Sequence, residues 1–325
     1  MSTEYVVPMN GAVDPAQVGT KSARLAQLAR EGVRIPEGFA VTAAAYQEFV
    51  QDARLGPAIA QSIRRFRAGR DLGVAAAEIR SGFRDAAVPA AVVKEILSAY
   101  ERLGGDGAEV AVRCSPVTAP DAVQDVAFLH LTNGADVVAA CRRCFASLYN
   151  AVAVGNREAE GVDQLAVVMP VTVQTMVRAD LGASGNARGE STFVRVRAAW
   201  GLGEPPVADA DQYSVHPGRR PLIVKHRGTK LTKIVYADPR GTRTIATTDD
   251  ERMALVLTDD ELQQLAEWSE IADKLSRRPM TLEWAKDGRS GLLYAVEVRP
   301  WAMPPVTTMT ARVRRIAVPQ FELSQ

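Results

Sequence analysis

The hydrophobic pattern changes its period about halfway along the chain. In the first half, apolar residues recur at the three- and four-residue spacing of amphipathic helices, as in "SARLAQLAREGV" and "DVVAACRRCFASLYNAVA". From "QLAVVMPVTVQTMV" onward, short runs rich in β-branched residues follow one another: "TFVRVRAAW", "PLIVKHRG", "KIVYAD" and "RTIATT". The pattern predicts an α+β protein with a helix-rich first part and a sheet-rich second part.

The N-terminal segment predicts a helix that follows a turn. Gly19 precedes the helical run and Gly32 ends it, so Lys21 lies at or just inside the helix N-terminus. A short strand, "FAVT", comes next, and Thr42 begins a second helix. Free amide N–H groups and an ammonium at one helix N-terminus suit an anion, although a lysine in a first helical turn is also commonly just solvated.

The middle of the first half is divided by helix breakers. Residues 55–104 are alanine-rich and predict helices broken at Gly69, Gly73 and Pro89. The strand "EVAVR" follows and ends at Arg113, where the chain enters a polar loop. Loops at strand ends often carry binding residues, so the position of Arg113 raises the question of what this loop holds.

The cysteines give little support for redox or metal chemistry. Three cysteines, Cys114, Cys141 and Cys144, do not form a secreted disulfide framework. The helix that contains "CRRC" is predicted to run to about residue 155, with Cys141 and Cys144 one turn apart on one face. A redox pair needs a helix N-terminus and a zinc site needs two more ligands, and the sequence places neither nearby.

Length and charge limit the class of protein. A chain of 325 residues exceeds a usual single domain of about 100 to 200 residues, which predicts two lobes. The 39 basic and 38 acidic residues give a net charge of +1, so the charge does not indicate a nucleic acid or an anionic membrane as a partner. The N-terminus lacks a signal-peptide pattern, and no stretch has the ~18 consecutive apolar residues of a membrane span. We expect a cytoplasmic protein.

The stretch "MTLEWAKDGRSGLLYAVEVRPW" predicts a hairpin of two strands around "KDGRSG". On the strand period of two, Glu297 and Arg299 share one face of the second strand, and pairing brings them close to Glu283 on the first. Two neighbouring carboxylates suit a hard cation such as magnesium, and an arginine beside them suits a phosphate oxygen. A surface ion pair is the alternative interpretation.

A second candidate lies in the turn "AAWGLGE", which ends a predicted strand at Glu204. Its glycines allow the backbone to approach a ligand closely, and the turn directs Glu204 toward that ligand. A tight turn with an exposed glutamate is the alternative.

Several stretches, in chain order, resemble one protein family. They are "VGTKSARLAQLAREGVRIPEGFAVTAAAY", "AVRCSP", "CFASLYNA", "AVVMPVTVQTMV", "WGLGE", "LTDDELQQLA" and "LEWAKDG…LYAVEVRP". Together they resemble the ATP-binding domain of phosphoenolpyruvate synthase, pyruvate phosphate dikinase and rifampicin phosphotransferase, over residues 5 to about 302. The resemblance implies a two-lobed, ATP-grasp-like α+β fold. The implied divisions are a first lobe at 1–178 with a helical insertion at about 55–104, a second lobe at 179–303, and a tail or docking arm at 304–325.

The resemblance also implies a nucleotide site between the lobes, with ATP and Mg²⁺ as cofactors. The implied residues are Lys21, Arg113 and Arg299 for the phosphates and catalysis, Gln174, Met176 and Val177 for the adenine, Glu204 for the ribose, and Glu283 and Glu297 for magnesium. Phosphoryl transfer needs cations around the phosphate oxygens and a metal between the phosphates, and these are the residue types supplied.

The chain departs from the family's usual pattern near the phosphates. In the loop after Arg113, Pro120 replaces an acid, and Leu129 and His130 replace an Ala-Gly pair, which crowds a loop expected to cover phosphates. Glu297 stands where the family usually has glutamine, and it adds a negative charge beside the triphosphate.

The function expected from the resemblance depends on a carrier histidine. In the family a swivelling domain bears that histidine, and none of His130, His216 and His226 lies in its "TxxGGxxxHA" setting. We therefore expect a phosphotransferase subunit that passes phosphate from ATP to a histidine on a partner protein. Two alternatives are a free-standing kinase or activating enzyme that acts directly on a small acceptor, and a non-catalytic nucleotide-binding or scaffold protein.

Overall fold

The computed structural model describes residues 4–117, 127–203, 209–216, 218, 221–237 and 242–301. Within these ranges the chain forms two large sheets, each with its own helices and its own hydrophobic core. The predicted α+β class is confirmed, with most helices in the first lobe and most strands in the second.

The first lobe is a sheet covered mainly by helices. Its elements are β1 (Val6–Pro8), α1 (Pro15–Arg30), β2 (Gly38–Val41), α2 (Ala43–Asp52), α3 (Leu55–Arg67), α4 (Leu72–Asp85), α5 (Ala90–Arg102), β3 (Val110–Cys114), β4 (Ala127–Leu131), α6 (Gly134–Ser147), α7 (Ala151–Ala159) and β5 (Val171–Thr175). The five strands are ordered β1-β2-β5-β3-β4, and each neighbouring pair is antiparallel.

The second lobe is a larger antiparallel sheet with one long helix against it. Its elements are β6 (Ala183–Gly189), β7 (Val194–Trp200), β8 (Asp211–His216), β9 (Leu222–His226), β10 (Thr232–Tyr236), β11 (Thr242–Ala246), α8 (Asp249–Met253), α9 (Asp259–Ser276), β12 (Met280–Lys286) and β13 (Leu293–Pro300). Six strands are ordered β13-β12-β6-β7-β8-β9, and β10 and β11 form a separate hairpin.

Two helices begin at threonine caps. The side chain of Thr42 accepts a hydrogen bond from Ala45 N at the start of α2. At the start of α9, Thr258 and Glu261 form a reciprocal capping box. The predicted helix start at Thr42 is therefore confirmed.

The helix that contains Cys141 and Cys144 is shorter than predicted. It ends at Ser147, and a new helix begins after Asn150, whose side chain accepts a hydrogen bond from Ala153 N. The cap at Asn150 offers the backbone a stronger local alternative than a continuous helix, and this ends the first helix. Both thiols are free and buried, and burial raises the pKa of Cys141 to about 12, which agrees with a structural role.

Strand β6 was not predicted, although it lies in the middle of the second sheet. Its sequence, "ASGNARG", has no β-branched or aromatic residue, so it carries no strand signal of its own. It pairs with β12 on one side and β7 on the other. Its small residues fit because both neighbours approach closely, as at Gly185, where an added Cβ would lie 1.9 Å from the carbonyl oxygen of Arg197.

Helix α1 joins the two lobes. Leu25 and Leu28 are buried in the core of the second lobe, although the chain on both sides of α1 belongs to the first sheet. Ala295 N of β13 donates a hydrogen bond to Arg34 O just after this helix. The stretch Gly134–Ala159 is long and apolar enough to cross a membrane, but 61% of its most apolar window is buried in the protein. A core position accounts for that composition.

Candidate functional site

Gly19 sets the position of Lys21. Gly19 has φ 79° and ψ 163°, which breaks α1 and restarts it, so Lys21 lies in the first turn after the break. A Cβ at Gly19 would lie 1.6 Å from Ser115 O at the end of β3, so only glycine lets the helix approach this strand. The turn that carries Lys21 is thus held against the strand that carries Arg113.

The amide groups of this turn are largely occupied. Ser22 N donates a hydrogen bond to Ser115 Oγ at 3.1 Å, and Thr20 N donates one to Pro116 O at 3.4 Å. The expectation of free amides at this helix N-terminus is therefore wrong for Thr20 and Ser22. The ammonium of Lys21 is the group that this turn directs toward the second lobe.

Glu297 connects two cations of the first lobe. One carboxylate oxygen, Oε1, lies 2.8 Å from Lys21 Nζ, and the other, Oε2, lies 3.2 Å from Arg113 NH1. Glu297 belongs to β13 of the second lobe and is 8% exposed. The ion pairs of Glu297 therefore cross the cleft between the lobes. They differ from the surface ion pair within the hairpin that the sequence offered as the alternative.

Glu283 lies beside Glu297 on the neighbouring strand. The two residues are direct partners in the β12–β13 register, and a bulge follows at Trp284. Arg299 Nε donates to Glu283 Oε1 at 2.9 Å. Burial, and then the charge of Glu297, raises the pKa of the Glu283 carboxyl, while Arg299 acts in the opposite direction. A cation between the two carboxylates would relieve this repulsion.

The metal-binding capacity of the site depends on these two carboxylates. Among the described residues, no group of three or more His, Cys, Asp or Glu side chains is placed to hold a metal ion. The pair Glu283 and Glu297 nevertheless fits magnesium, which is bound through one or two carboxylates together with substrate phosphates. The raised pKa of Glu283 and the register of the pair are the observations that support this fit.

The cavity lined by Arg113 and Glu283 also has an apolar part. Gln174, Met176 and Val177 line it together with Trp284 and Ala285 of the second lobe. Gln174 is 4% exposed, and within the described part of the chain its Nε2 has no hydrogen-bond partner. The indole Nε1 of Trp284 is in the same situation. Two buried donors without acceptors in an apolar cleft suit a planar heterocycle with acceptor atoms.

A contact that sequence reasoning missed joins the lobes at the edge of the cleft. His130 of β4 stacks on Tyr236 of the β10–β11 hairpin, with ring centroids 4.6 Å apart. Arg178 lies over the same tyrosine ring and forms a bidentate pair with Asp180. The sequence shows that His130 departs from the family's usual pattern. Its partner Tyr236 lies 106 residues further along the chain, so the sequence does not show the stack.

Two expectations fall outside the described residues. Glu204, expected near the ribose, is one of them, and so is Pro120 in the loop after Arg113. The division into lobes at residue 178 and the tail at 304–325 remain predictions.

Comparisons with known proteins identify the family of this chain. A sequence profile described as "Pyruvate phosphate dikinase, AMP/ATP-binding domain" matches residues 15–315. The chain belongs to this family. The predicted family resemblance is thereby confirmed.

Three curated relatives are larger than this chain. The chain is 34% identical over 330 residues to phosphoenolpyruvate synthase of Pseudomonas aeruginosa, covering 91% of this chain and 42% of the relative. Phosphoenolpyruvate synthase of Deinococcus radiodurans is 34% identical, with 94% of this chain and 42% of the relative covered. The Escherichia coli enzyme is 33% identical, with 89% and 40% covered. The chain therefore spans about two fifths of the length of these relatives.

Proposed function

We propose that the chain binds ATP with magnesium between its two lobes and passes phosphate to a histidine on a separate polypeptide. The observation that carries this proposal is the convergence of Lys21, Arg113 and Arg299 around the paired carboxylates Glu283 and Glu297. This set combines phosphate-binding cations with oxygen donors for a hard metal ion.

The residues of the site have separate tasks in this proposal. The apolar end of the cleft, with Gln174, Met176 and Val177, would hold the adenine. Lys21 and Arg113 would exchange the Glu297 carboxylate for phosphate oxygens, because triphosphate carries more charge than one carboxylate. Magnesium held by Glu283 and Glu297 would neutralise charge on the phosphates.

The partner histidine is proposed because of the relatives. The curated relatives are named phosphoenolpyruvate synthase, and this chain covers 42% of the Pseudomonas aeruginosa protein. The resemblance implies that the remaining part of such proteins supplies the carrier. In this proposal a histidine outside the 325 residues of this chain receives the phosphate.

The test is isothermal titration of the chain with ATP and magnesium, followed by analysis of the products in the presence of candidate acceptors. AMP as the product would support dikinase-type chemistry with a phosphohistidine carrier. ADP would instead support direct transfer to a small acceptor, and binding without turnover would support a nucleotide-binding scaffold. If neither ATP nor AMP binds, the proposed nucleotide site is wrong.

A further inference from the structure

A row of polar residues extends from Glu283 across the second sheet. Register pairs join Glu283 to Asn186, Asn186 to Arg197, and Arg197 to Gln212. Directly paired residues of neighbouring strands lie on the same face of a sheet, so these residues share the face that bears Glu283. The opposite face is apolar and packs against α9, with Leu282 among its buried residues.

The arginines on this polar face differ in their partners. Arg188 NH2 lies 2.5 Å from Glu190 Oε1, and Arg195 Nε lies 3.3 Å from the same atom. Arg299 is paired with Glu283. In contrast, no hydrogen bond or ion pair connects the side chain of Arg197 to any residue that the structure describes.

The guanidinium of Arg197 lies in a partly buried place, where a missing counter-charge costs free energy. Its side chain is half-buried, and its neighbour Asn186 is 3% exposed. Removing part of a guanidinium from water without an acceptor costs free energy, and an anion that accepts its N–H groups would offset that cost. Asn186 and Gln212 flank Arg197 in the register of the sheet, so polar residues lie on both sides of the guanidinium.

The row also fixes the distance to the proposed phosphate site. Strands β12, β6 and β7 are consecutive neighbours in the sheet. With a spacing of about 4.8 Å between strands, Arg197 lies roughly 10 Å from Glu283 along the row. An oxyanion at Arg197 would therefore lie two strands away from Glu283, the proposed magnesium ligand.

We propose that Arg197, flanked by Asn186 and Gln212, binds an oxyanion, a phosphate or carboxylate group, beside the proposed nucleotide site. The ligand is either the terminal phosphate of the nucleotide or the acid group of a small acceptor. The choice between these two ligands rests on the proposed function. The anion site itself depends only on the unpaired guanidinium of Arg197.

The experiment compares the wild-type chain with Arg197→Gln. Inorganic phosphate and malonate are titrated into the nucleotide-free protein, and ATP, ADP and AMP are titrated separately, each followed by calorimetry. The matched control is Arg195→Gln, because Arg195 lies two residues away on the same face but is paired with Glu190. Charge-assisted hydrogen bonds predict a loss of at least about tenfold in affinity for the ligand that Arg197 holds.

The pattern of losses identifies the source of the anion. A loss for ATP that exceeds the loss for AMP supports the nucleotide phosphate, and a loss for phosphate and malonate with unchanged nucleotide affinities supports an acceptor. Arg197→Lys keeps the positive charge but loses the planar guanidinium with its paired N–H donors, so its affinity should be intermediate. This variant replaces Arg197→Gln in the titrations if Arg197→Gln does not fold. Unchanged affinity for all five ligands in both variants would overturn the proposal. Wild-type protein that binds malonate through Arg197 but does not bind ATP would refute only the proposed function.

Discussion

At the scale of single residues, the carboxylate of Glu297 neutralises positive charge in the cleft. Its carboxylate contacts both Lys21 and Arg113, so the ligand-free protein supplies its own anion at the proposed phosphate site. An incoming phosphate must displace that carboxylate or be joined to it by a metal ion. The family's usual glutamine would not compete in this way.

We predict that Glu297→Gln strengthens the binding of ATP in the absence of metal. Neutralising the side chain releases Lys21 and Arg113 for phosphate and removes repulsion, for an expected gain of about three- to tenfold. Calorimetric titration with and without magnesium measures the change, and the difference between the two conditions should shrink. Glu158→Gln is the control, because Glu158 pairs with Arg67 away from the cleft. Weaker metal-free binding in Glu297→Gln would contradict the prediction.

Glu283 gives a second prediction, about stability and pH. Its raised pKa means that the folded protein favours the protonated form, so ligand-free stability is gained as pH falls through the raised pKa and lost as pH rises. Glu283→Gln should therefore be at least as stable as wild type at about pH 7, with an advantage that disappears in acid. Thermal unfolding across pH measures this.

The control for Glu283 has the opposite sign. Hydrogen bonds from Arg67 lower the pKa of Glu158, so Glu158→Gln should lose stability at neutral pH and lose less in acid. If Glu283→Gln also loses stability at neutral pH, the carboxylates of Glu283 and Glu297 do not repel each other in the folded protein.

At the scale of elements, the break in α1 places a lysine against the end of β3. We predict that Gly19→Ala is destabilising by about 2 to 4 kcal/mol, because the added Cβ meets Ser115 O and the backbone has a positive φ. Chemical denaturation measures the loss, and nucleotide affinity should fall as Lys21 moves.

Gly32→Ala is the matched control for Gly19. Gly32 also has a positive φ, of 84°, but a Cβ there has nothing within 4 Å. Its expected cost is about 1 kcal/mol, from backbone strain alone, with nucleotide affinity unchanged. Equal losses in the two variants would show that the approach to Ser115 contributes nothing.

The β10–β11 hairpin is attached to both lobes. Leu202 N donates to Ile234 O on the side of the second lobe, and His130 stacks on Tyr236 on the side of the first. His130 also has a positive φ of 58°, an uncommon conformation that the stack helps to hold.

We predict that His130→Ala loosens this hairpin. The variant loses the ring stack and leaves a strained backbone, so amide hydrogen exchange in β10 and β11 should accelerate by about tenfold. His216→Ala removes a comparable ring contact, with Phe193, on β8 and is the control. Exchange that is unchanged in the hairpin of His130→Ala would refute this role.

At the scale of the whole molecule, the cleft depends on both lobes at once. Lys21 and Arg113 come from the first lobe and Glu283, Glu297 and Arg299 from the second, while Leu25 and Leu28 of α1 are buried in the core of the second lobe. A ligand that binds all of these groups would stabilise the complete fold.

We predict that ATP with magnesium raises the unfolding temperature of the chain and that Arg113→Ala abolishes the rise and any ATP turnover. At about 100 times the Kd, a ligand adds about 2.7 kcal/mol of stability, which thermal unfolding detects easily. The variant Arg67→Ala, which loses an ion pair with Glu158 in the same lobe, should keep the rise. A full rise in Arg113→Ala would remove this residue from the proposed site.

The sequence by itself determined the local structure and the family. Capping residues such as Thr42 and Thr258 and alternation in the C-terminal hairpin are short-range signals, so helix starts and the β12–β13 pair were predictable. The convergence of Glu283 with Glu297 followed from one hairpin. Only the tertiary structure showed that Glu297 bridges Lys21 and Arg113, because that contact joins residues up to 276 positions apart.

Tertiary structure also decided what the small residues do. Strand β6 has no propensity signal, and it forms because β12 and β7 supply partners on both sides, which then places Asn186 beside Arg197. The fit of Gly19 against Ser115 likewise exists only when two distant segments meet. Local propensity depends on residues that are neighbours in the sequence. The charge balance of the cleft depends on side chains that are far apart in the sequence and come together only when the chain folds.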